Sequence, residues 1–170
     1  MFKEITTKEF GGNAFSMIGR DWMLITAEKD GVANTMTAQW GGMGYMWGKD
    51  VVYAVIRPQR YTKGFVDAAK RFSLSFLPEE HKKTMTYLGT VSGRDEDKIK
   101  KSGLTLAYAD GVPYFAQSDT VITAKTLYAQ EMAGQCFTDA PLAGQWYPEK
   151  DFHTLYIAEV EKMLVKEQEK

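Results

Sequence analysis

The sequence predicts a mainly β protein with short helices, its strands joined antiparallel as a barrel or a sandwich. Asp30-Gly31 and Asp110-Gly111 are two-residue hairpin signals set between strand-length runs of apolar, β-branched and aromatic residues. Phe72 to Leu77 alternates apolar and polar with period two, the mark of a strand with one face in a core. Stretches with helical spacing are short, and Pro or Gly bounds them.

In chain order, Thr6 to Gly19, with its Gly11-Gly12-Asn13, reads as an irregular or helical lead-in. Trp22 to Ala27 is an apolar strand, and Val32 to Trp40 returns beside it after the Asp30-Gly31 turn. A glycine-rich loop, Gly41 to Gly48, precedes a third strand, Val51 to Ile56. Pro58 stops that strand because proline cannot donate to a ladder. Phe65, Val66 and Ala69 recur at helical spacing, with Thr62 as candidate N-cap and Lys70-Arg71 suited to the C-terminal end. After the strand at Phe72 to Leu77, Pro78 opens a second helix, whose Glu79-Glu80 complement the positive end of its dipole. Gly93 to Lys101 reads as a solvent-facing helix ending at Gly103, and Arg94 to Lys98 as its solvated charges. Leu104 to Tyr108, Val112 to Phe115 and Thr120 to Met132 are strands, Gly134 and Pro141 to Pro148 mark a long loop, and His153 to Val160 resumes a strand.

At 170 residues the chain fits a single domain over 1–170 with a substantial core. A net charge of -1 gives no electrostatic reason to expect nucleic acid or an anionic membrane, so any bound anion needs a local cluster. Neither a signal-type leader nor an apolar run of about 20 residues is present, and a cytoplasmic protein is expected. Cys136 is the lone cysteine, which excludes an intrachain disulfide and would oblige a zinc or iron-sulfur site to recruit ligands from elsewhere, so no metal is expected. The phosphate loop, the nucleophile elbow, His-Glu-x-x-His and Cys-x-x-Cys are all missing, and Gly41-Gly42-Met43-Gly44 does not match the dinucleotide fingerprint.

The chemistry concentrates between Asn34 and Thr62. Asn34-Thr35-Met36-Thr37-Ala38 offers an amide and two hydroxyls, and the following glycines let a backbone approach a ligand closely. Taken bare, the segment reads more readily as a polar strand end running into a loop. Trp40, Tyr45 and Trp47 around those glycines cover a core edge, line a pocket or pack across a subunit interface, uses the sequence does not separate. Arg57 and Arg60 flank Pro58 just before the helix near Thr62, an arrangement suited to a phosphate. His153 opens its strand as a structural histidine or as a site residue, while His81 belongs to a charged surface helix start.

These residues resemble a known family, the flavin reductase-like proteins of the FMN-binding split-barrel fold, in their flavoredoxin-like branch. The resemblance rests on Asn34 to Ala38 with Trp40-Gly41-Gly42, Arg57-Pro58-Gln59-Arg60-Tyr61-Thr62, Ser92-Gly93-Arg94-Asp95 with Asp97-Lys98, and His153 to Val160. It implies a Greek-key-like antiparallel split β-barrel, a homodimer, and non-covalent FMN near the subunit interface. Carried over residue by residue, it places Asn34, Thr35, Met36, Thr37 and Ala38 along the ring and ribityl chain and Arg57, Arg60, Tyr61 and Thr62 toward the phosphate. Trp40 and Trp47 become wall or interface residues, and His153 lies toward the nicotinamide side. The implied activity is an NADH- or NADPH-dependent flavin oxidoreductase. Its alternatives are a flavoredoxin-type carrier with a redox protein partner, or a flavin-binding module without turnover.

Overall fold

The computed structural model describes residues 1–167. Its strands are β1 (Phe2–Ile5), β2 (Met23–Lys29), β3 (Val32–Ala38), β4 (Gly41–Met46), β5 (Lys49–Ile56), β6 (Arg71–Phe76), β7 (Leu106–Ala109), β8 (Val112–Phe115), β9 (Thr120–Glu131) and β10 (Thr154–Lys166). The helices are α1 (Ala14–Ser16), which runs into a π turn, α2 (Tyr61–Ala69), α3 (Lys82–Thr90), α4 (Lys98–Ser102) and α5 (Ala140–Trp146).

Every strand pairing is antiparallel, and the main sheet runs β3-β2-β6-β9-β10-β5-β4, with β7 and β8 as a separate hairpin. β10 divides one of its edges, pairing Thr154 to Glu159 with β5 and Met163 to Lys166 with β1. Register shifts at Ile157/Ala158 and Val160/Lys162 bend it between those two partners. Met36 of β3 and Met43 of β4 come from opposite ends of the strand path yet pack on the same apolar cluster. The sheet therefore curls into a barrel around Ile25, Phe72, Leu74, Ile122 and Tyr156, with Phe65 and Val66 of α2 packed into the same cluster. Met85 and Leu88 of α3 join Leu24, Leu77, Leu104 and Phe115 in a second cluster.

Three tight turns share one geometry, with both central residues at positive φ: Asp30-Gly31 (52° and 76°), Trp47-Gly48 (54° and 73°) and Asp110-Gly111 (48° and 79°). These values fit hairpin turns whose twist matches right-twisted strands. The middle turn corrects the expected glycine loop, because Gly41 to Met46 is an edge strand paired with β5. Tyr53 explains the glycines: its ring lies 3.3 Å and 3.2 Å from where Cβ atoms at Gly42 and Gly44 would stand. Tryptophan in the turn hid this hairpin from sequence rules.

Four other expectations change. Ser73 and Ser75 are as buried as their apolar neighbours, because β8 covers them: the Ser73 hydroxyl donates to Pro113 O at 2.6 Å, and Ser75 Oγ accepts from Phe115 N. Thr62 does not cap α2; Arg60 holds that position without a side-chain cap, and Thr62 Oγ1 accepts instead from Asn34 Nδ2 at 2.8 Å. The expected helix over Gly93 to Lys101 shortens to Lys98–Ser102, with Asp97 as its cap. Its Lys98 is buried rather than solvated. Part of the expected loop after Gly134 is α5, with proline in its first turn, where a missing N–H costs nothing.

Candidate functional site

β3 runs into β4 through Gln39 and Trp40 alone, and a cavity of about 350 Å³ opens beside this link. Met36, Thr37 and Ala38 line it from β3, Trp40 from the link, Val55 from β5, and Gly89 and Thr90 from the end of α3. Thr37 is fixed there by a hydrogen bond from its hydroxyl to Met85 O at 2.5 Å. Gly89 faces it closely, since a Cβ at that glycine would stand 3.0 Å from Thr37 Cβ.

The rest of the wall is aromatic. Trp40 meets the Trp146 ring edge-on at 4.9 Å and the His153 ring at 5.1 Å. Trp22 closes another side from an unusual backbone position, φ 69°, and the Lys82 ammonium sits 3.9 Å from its ring centre. Lys82 also donates to Arg20 O and Asp21 O, so one cation holds the preceding turn and the strained tryptophan together. The His153 Nδ1 lies 2.8 Å from the Tyr147 hydroxyl. Burial, then the Arg57 and Arg60 charges, lower the His153 pKa to about 4 despite nearby Asp151, so the ring is neutral at pH 7. It serves the cavity as a hydrogen-bonding group and not as a cation.

That shift has a stability consequence. The folded pKa lies below the ordinary histidine value of 6.5, so between pH 6.5 and 4 the unfolded chain binds a proton that the folded chain refuses. We expect stability to fall as pH drops through this window, by up to about 3 kcal/mol from this residue. Urea unfolding of wild type and His153→Gln at pH 7 and pH 4.5 checks it: the variant loses less stability.

A second cavity of about 400 Å³ shares Met36, Arg57, Arg60 and Thr90 with the first, so the two are neighbours. Its character is basic and hydroxylic: Arg94 and Lys98 join the arginines, and Thr62 and Ser92 add hydroxyls. Among the described residues Arg60, Arg94 and Lys98 have no carboxylate partner. Arg60 donates to Gly89 O at 2.6 Å, and Arg94 donates to Gln59 O at 3.1 Å while its guanidinium lies over the Tyr61 ring at 4.7 Å. The Lys98 ammonium donates to Leu88 O and Val91 O at 2.7 and 2.9 Å, which caps the C-terminal end of α3. Burial, then the Arg60 charge, lower the Lys98 pKa to about 8; burial, then the Arg57 charge, lower that of Arg60. Four positive charges gathered in a partly dry cavity, with a counter-charge for Arg57 alone among the described residues, are arranged for an anion.

The sequence-expected residues divide into three groups. Met36, Thr37, Ala38, Trp40, Arg57, Arg60 and His153 meet in the first cavity, and Tyr61 and Thr62 stand on the second. Asn34 and Thr35 lie behind the walls: Asn34 supports Thr62, and the Thr35 hydroxyl is buried against Thr26 and Ile25 O. Trp47 is remote, exposed at the β4–β5 hairpin tip near Tyr128. Trp22, Trp146, Tyr147, Ser92, Arg94 and Lys98 were not among the expected site residues. The Ser92 to Lys98 motif carries the signal for three of them, while the other three become neighbours only through the fold.

The family model of the flavin reductase like domain matches residues 15–170. The chain belongs to the flavin reductase-like family. An FMN-binding domain of a flavin reductases-like enzyme from Shewanella baltica aligns with TM-score 0.71 at 17% identity, over 97% of this chain and 77% of that one. Flavoredoxin of Desulfovibrio vulgaris aligns with TM-score 0.68 at 21% identity, over 95% and 78%. The NADH:FAD oxidoreductase of Streptomyces globisporus aligns with TM-score 0.66 at 14% identity, over 86% and 75%. At these identities the likeness is one of fold, the split barrel. Among curated proteins none matches the sequence.

Proposed function

We propose that the chain binds FMN without a covalent bond and works as an NADH- or NADPH-dependent flavin oxidoreductase. The observation that carries this reading is the adjacency of the two cavities, an aromatic chamber bordered by a basic one along Met36, Arg57, Arg60 and Thr90. A planar heterocycle with an anionic tail fits that pairing of surfaces. When bound, FMN supplies the hydride and single-electron chemistry that no side chain here offers.

Met36, Thr37, Ala38 and the Trp22 and Trp40 indoles would hold the ring, with Asn34 and Thr35 supporting that wall from behind. Arg60, Arg94, Lys98, Thr62 and Ser92 would hold the phosphate, with Arg57 and Tyr61 at its margin. His153, neutral and set by Tyr147, would offer a hydrogen bond on the side where a nicotinamide enters. We read 1–170 as one such domain, acting in the cytoplasm. Among the described residues no helix is long and apolar enough to cross a membrane, and no group of His, Cys, Asp and Glu is placed to hold a metal.

Anaerobic addition of NADH and of NADPH to the FMN-loaded protein tests the activity. Bleaching of the flavin band by either one supports it. Bound FMN bleached by neither leaves the carrier reading, in which a redox protein is the donor, or a module without turnover. Arg57→Ala should weaken FMN binding by about 1.5 kcal/mol, the low end for a hydrogen bond to a charged group, because Arg57 must first leave Asp151. An unchanged dissociation constant would take the phosphate away from Arg57.

We also propose a homodimer. At the hairpin tip Tyr45, Met46 and Trp47 are exposed, and Trp47, 57% exposed, lies 6.3 Å from the exposed Tyr128 ring of β9, so that aromatic surface bridges the hairpin and that strand. A second copy covering that face shields surface that single domains rarely leave in water. Sedimentation should give twice the chain mass; a monomer that retains FMN would count against a site near the interface.

A further inference from the structure

We infer that Asp151 is an internal ligand of Arg57 which an entering phosphate displaces, and that this exchange unlatches the strap between β9 and β10. The inference rests on the FMN reading for the identity of the anion. The latch itself is independent of it.

The strap leaves β9 after Glu131 and returns at Thr154, its ends clasped by a hydrogen bond from Met132 N to His153 O at 2.9 Å. It packs largely on its own aromatic residues: Phe137, Tyr147 and Phe152 lie mutually within 4.9 to 5.8 Å. It reaches the body of the barrel at few places. Arg57 donates one arm to Asp151 Oδ2 and the other to Trp146 O at 2.7 Å, and lies 5.1 Å from the Tyr147 ring centre. Gln59 also donates to Asp151 Oδ2, at 2.8 Å. Through these contacts the Trp146 indole is held against Trp40 at the rim of the aromatic cavity, 42% exposed.

Arg57 is common to the strap and to both cavities. The other cations of the basic cavity are committed only to carbonyl groups, so Arg57 alone must exchange one carboxylate for an incoming anion. Asp151 tolerates that loss poorly. Its Oδ1 is buried and has no hydrogen-bond partner, so without Arg57 the carboxylate keeps Gln59 alone. A half-buried carboxylate left with Gln59 alone turns toward water, and the strap moves with it. Trp146 then leaves the rim, and the ring cavity opens on the side of Trp40 and His153, where a second reactant can enter.

Asp151→Asn removes the competitor without removing bulk. Dissociation constants for FMN and riboflavin should show FMN bound about tenfold more tightly by the variant and riboflavin bound equally by both proteins. Amide hydrogen exchange in the strap, over residues 137–151 of the unliganded protein, should be severalfold faster in Asp151→Asn. Gln59→Leu should shift it in the same direction, and serves as the second variant if Asp151→Asn folds poorly. Equal strap exchange in wild type and variants overturns the latch whether or not flavin binds. Flavin bound by no protein overturns the FMN reading, and the exchange data still decide the latch. Equal or weaker FMN binding in Asp151→Asn overturns the competition.

Discussion

Lys98→Met should lower FMN affinity by at least about 30-fold while riboflavin affinity stays near wild type. Its ammonium is buried and faces no carboxylate among the described residues. An anion held there gains a charge-assisted bond in a partly desolvated site, and truncating one partner of such a pair costs about 2 to 5 kcal/mol. The same residue gives FMN binding a pH dependence. In the unliganded chain Lys98 titrates at about 8, and a phosphate beside it restores its pKa upward. Above pH 8 binding must therefore take up a proton, and affinity falls by up to about tenfold per pH unit until the raised pKa is reached. Titrations with FMN between pH 7 and 9.5 read that slope, and Lys98→Met should flatten it. Lys98 also holds the carbonyl groups at the end of α3, so the variant loses stability as well. The riboflavin arm separates the two effects, since a collapsed site would lose both flavins.

Gly93→Ala is expected to have the next largest effect, although no charge is touched. A Cβ there would lie 2.2 Å from Asn34 Oδ1 and 3.2 Å from a Tyr61 ring carbon. Asn34 is buried and bonded to Thr62, and Tyr61 carries the Arg94 guanidinium over its ring. Relief of the overlap must shift either the Asn34–Thr62 pair or the Ser92–Arg94 turn, and both border the basic cavity. Overpacking of this kind costs about 1 to 3 kcal/mol of stability. Displaced phosphate donors lower FMN affinity by about 30-fold or more. Thermal unfolding and flavin titration on the one variant measure both; an unchanged melting temperature with unchanged affinity would show that the loop absorbs the methyl group freely.

Gly93 also shows where sequence reasoning stops. The antiparallel β class, the Asp30-Gly31 and Asp110-Gly111 hairpins and the α2 segment were legible because each depends on spacing within a few residues. The Met36 to Ala38 segment read on its residues alone as a polar strand end, and it was the family resemblance that joined it to the two arginines as one expected site. Asn34 touching Gly93, or Trp146 meeting Trp40, is a contact between distant segments, and no local pattern encodes it. The serines of β6 and the buried Lys98 misled in the same way. Polar residues were assigned to solvent by default, but tertiary partners, Pro113 and Phe115 for the serines and the end of α3 for the lysine, satisfy them inside. Trp47-Gly48 failed for a local reason, since tryptophan is not a residue that turn rules expect at positive φ.

A ligand that spans the aromatic and the basic cavities must bind through both its ring and its phosphate. Calorimetric titration of the purified protein with FMN and with riboflavin tests it most directly. One FMN per chain is expected, with riboflavin binding weaker by about 100-fold, the contribution of a phosphate held by arginine and lysine. Equal affinities for the two flavins, or no binding of either, would contradict it.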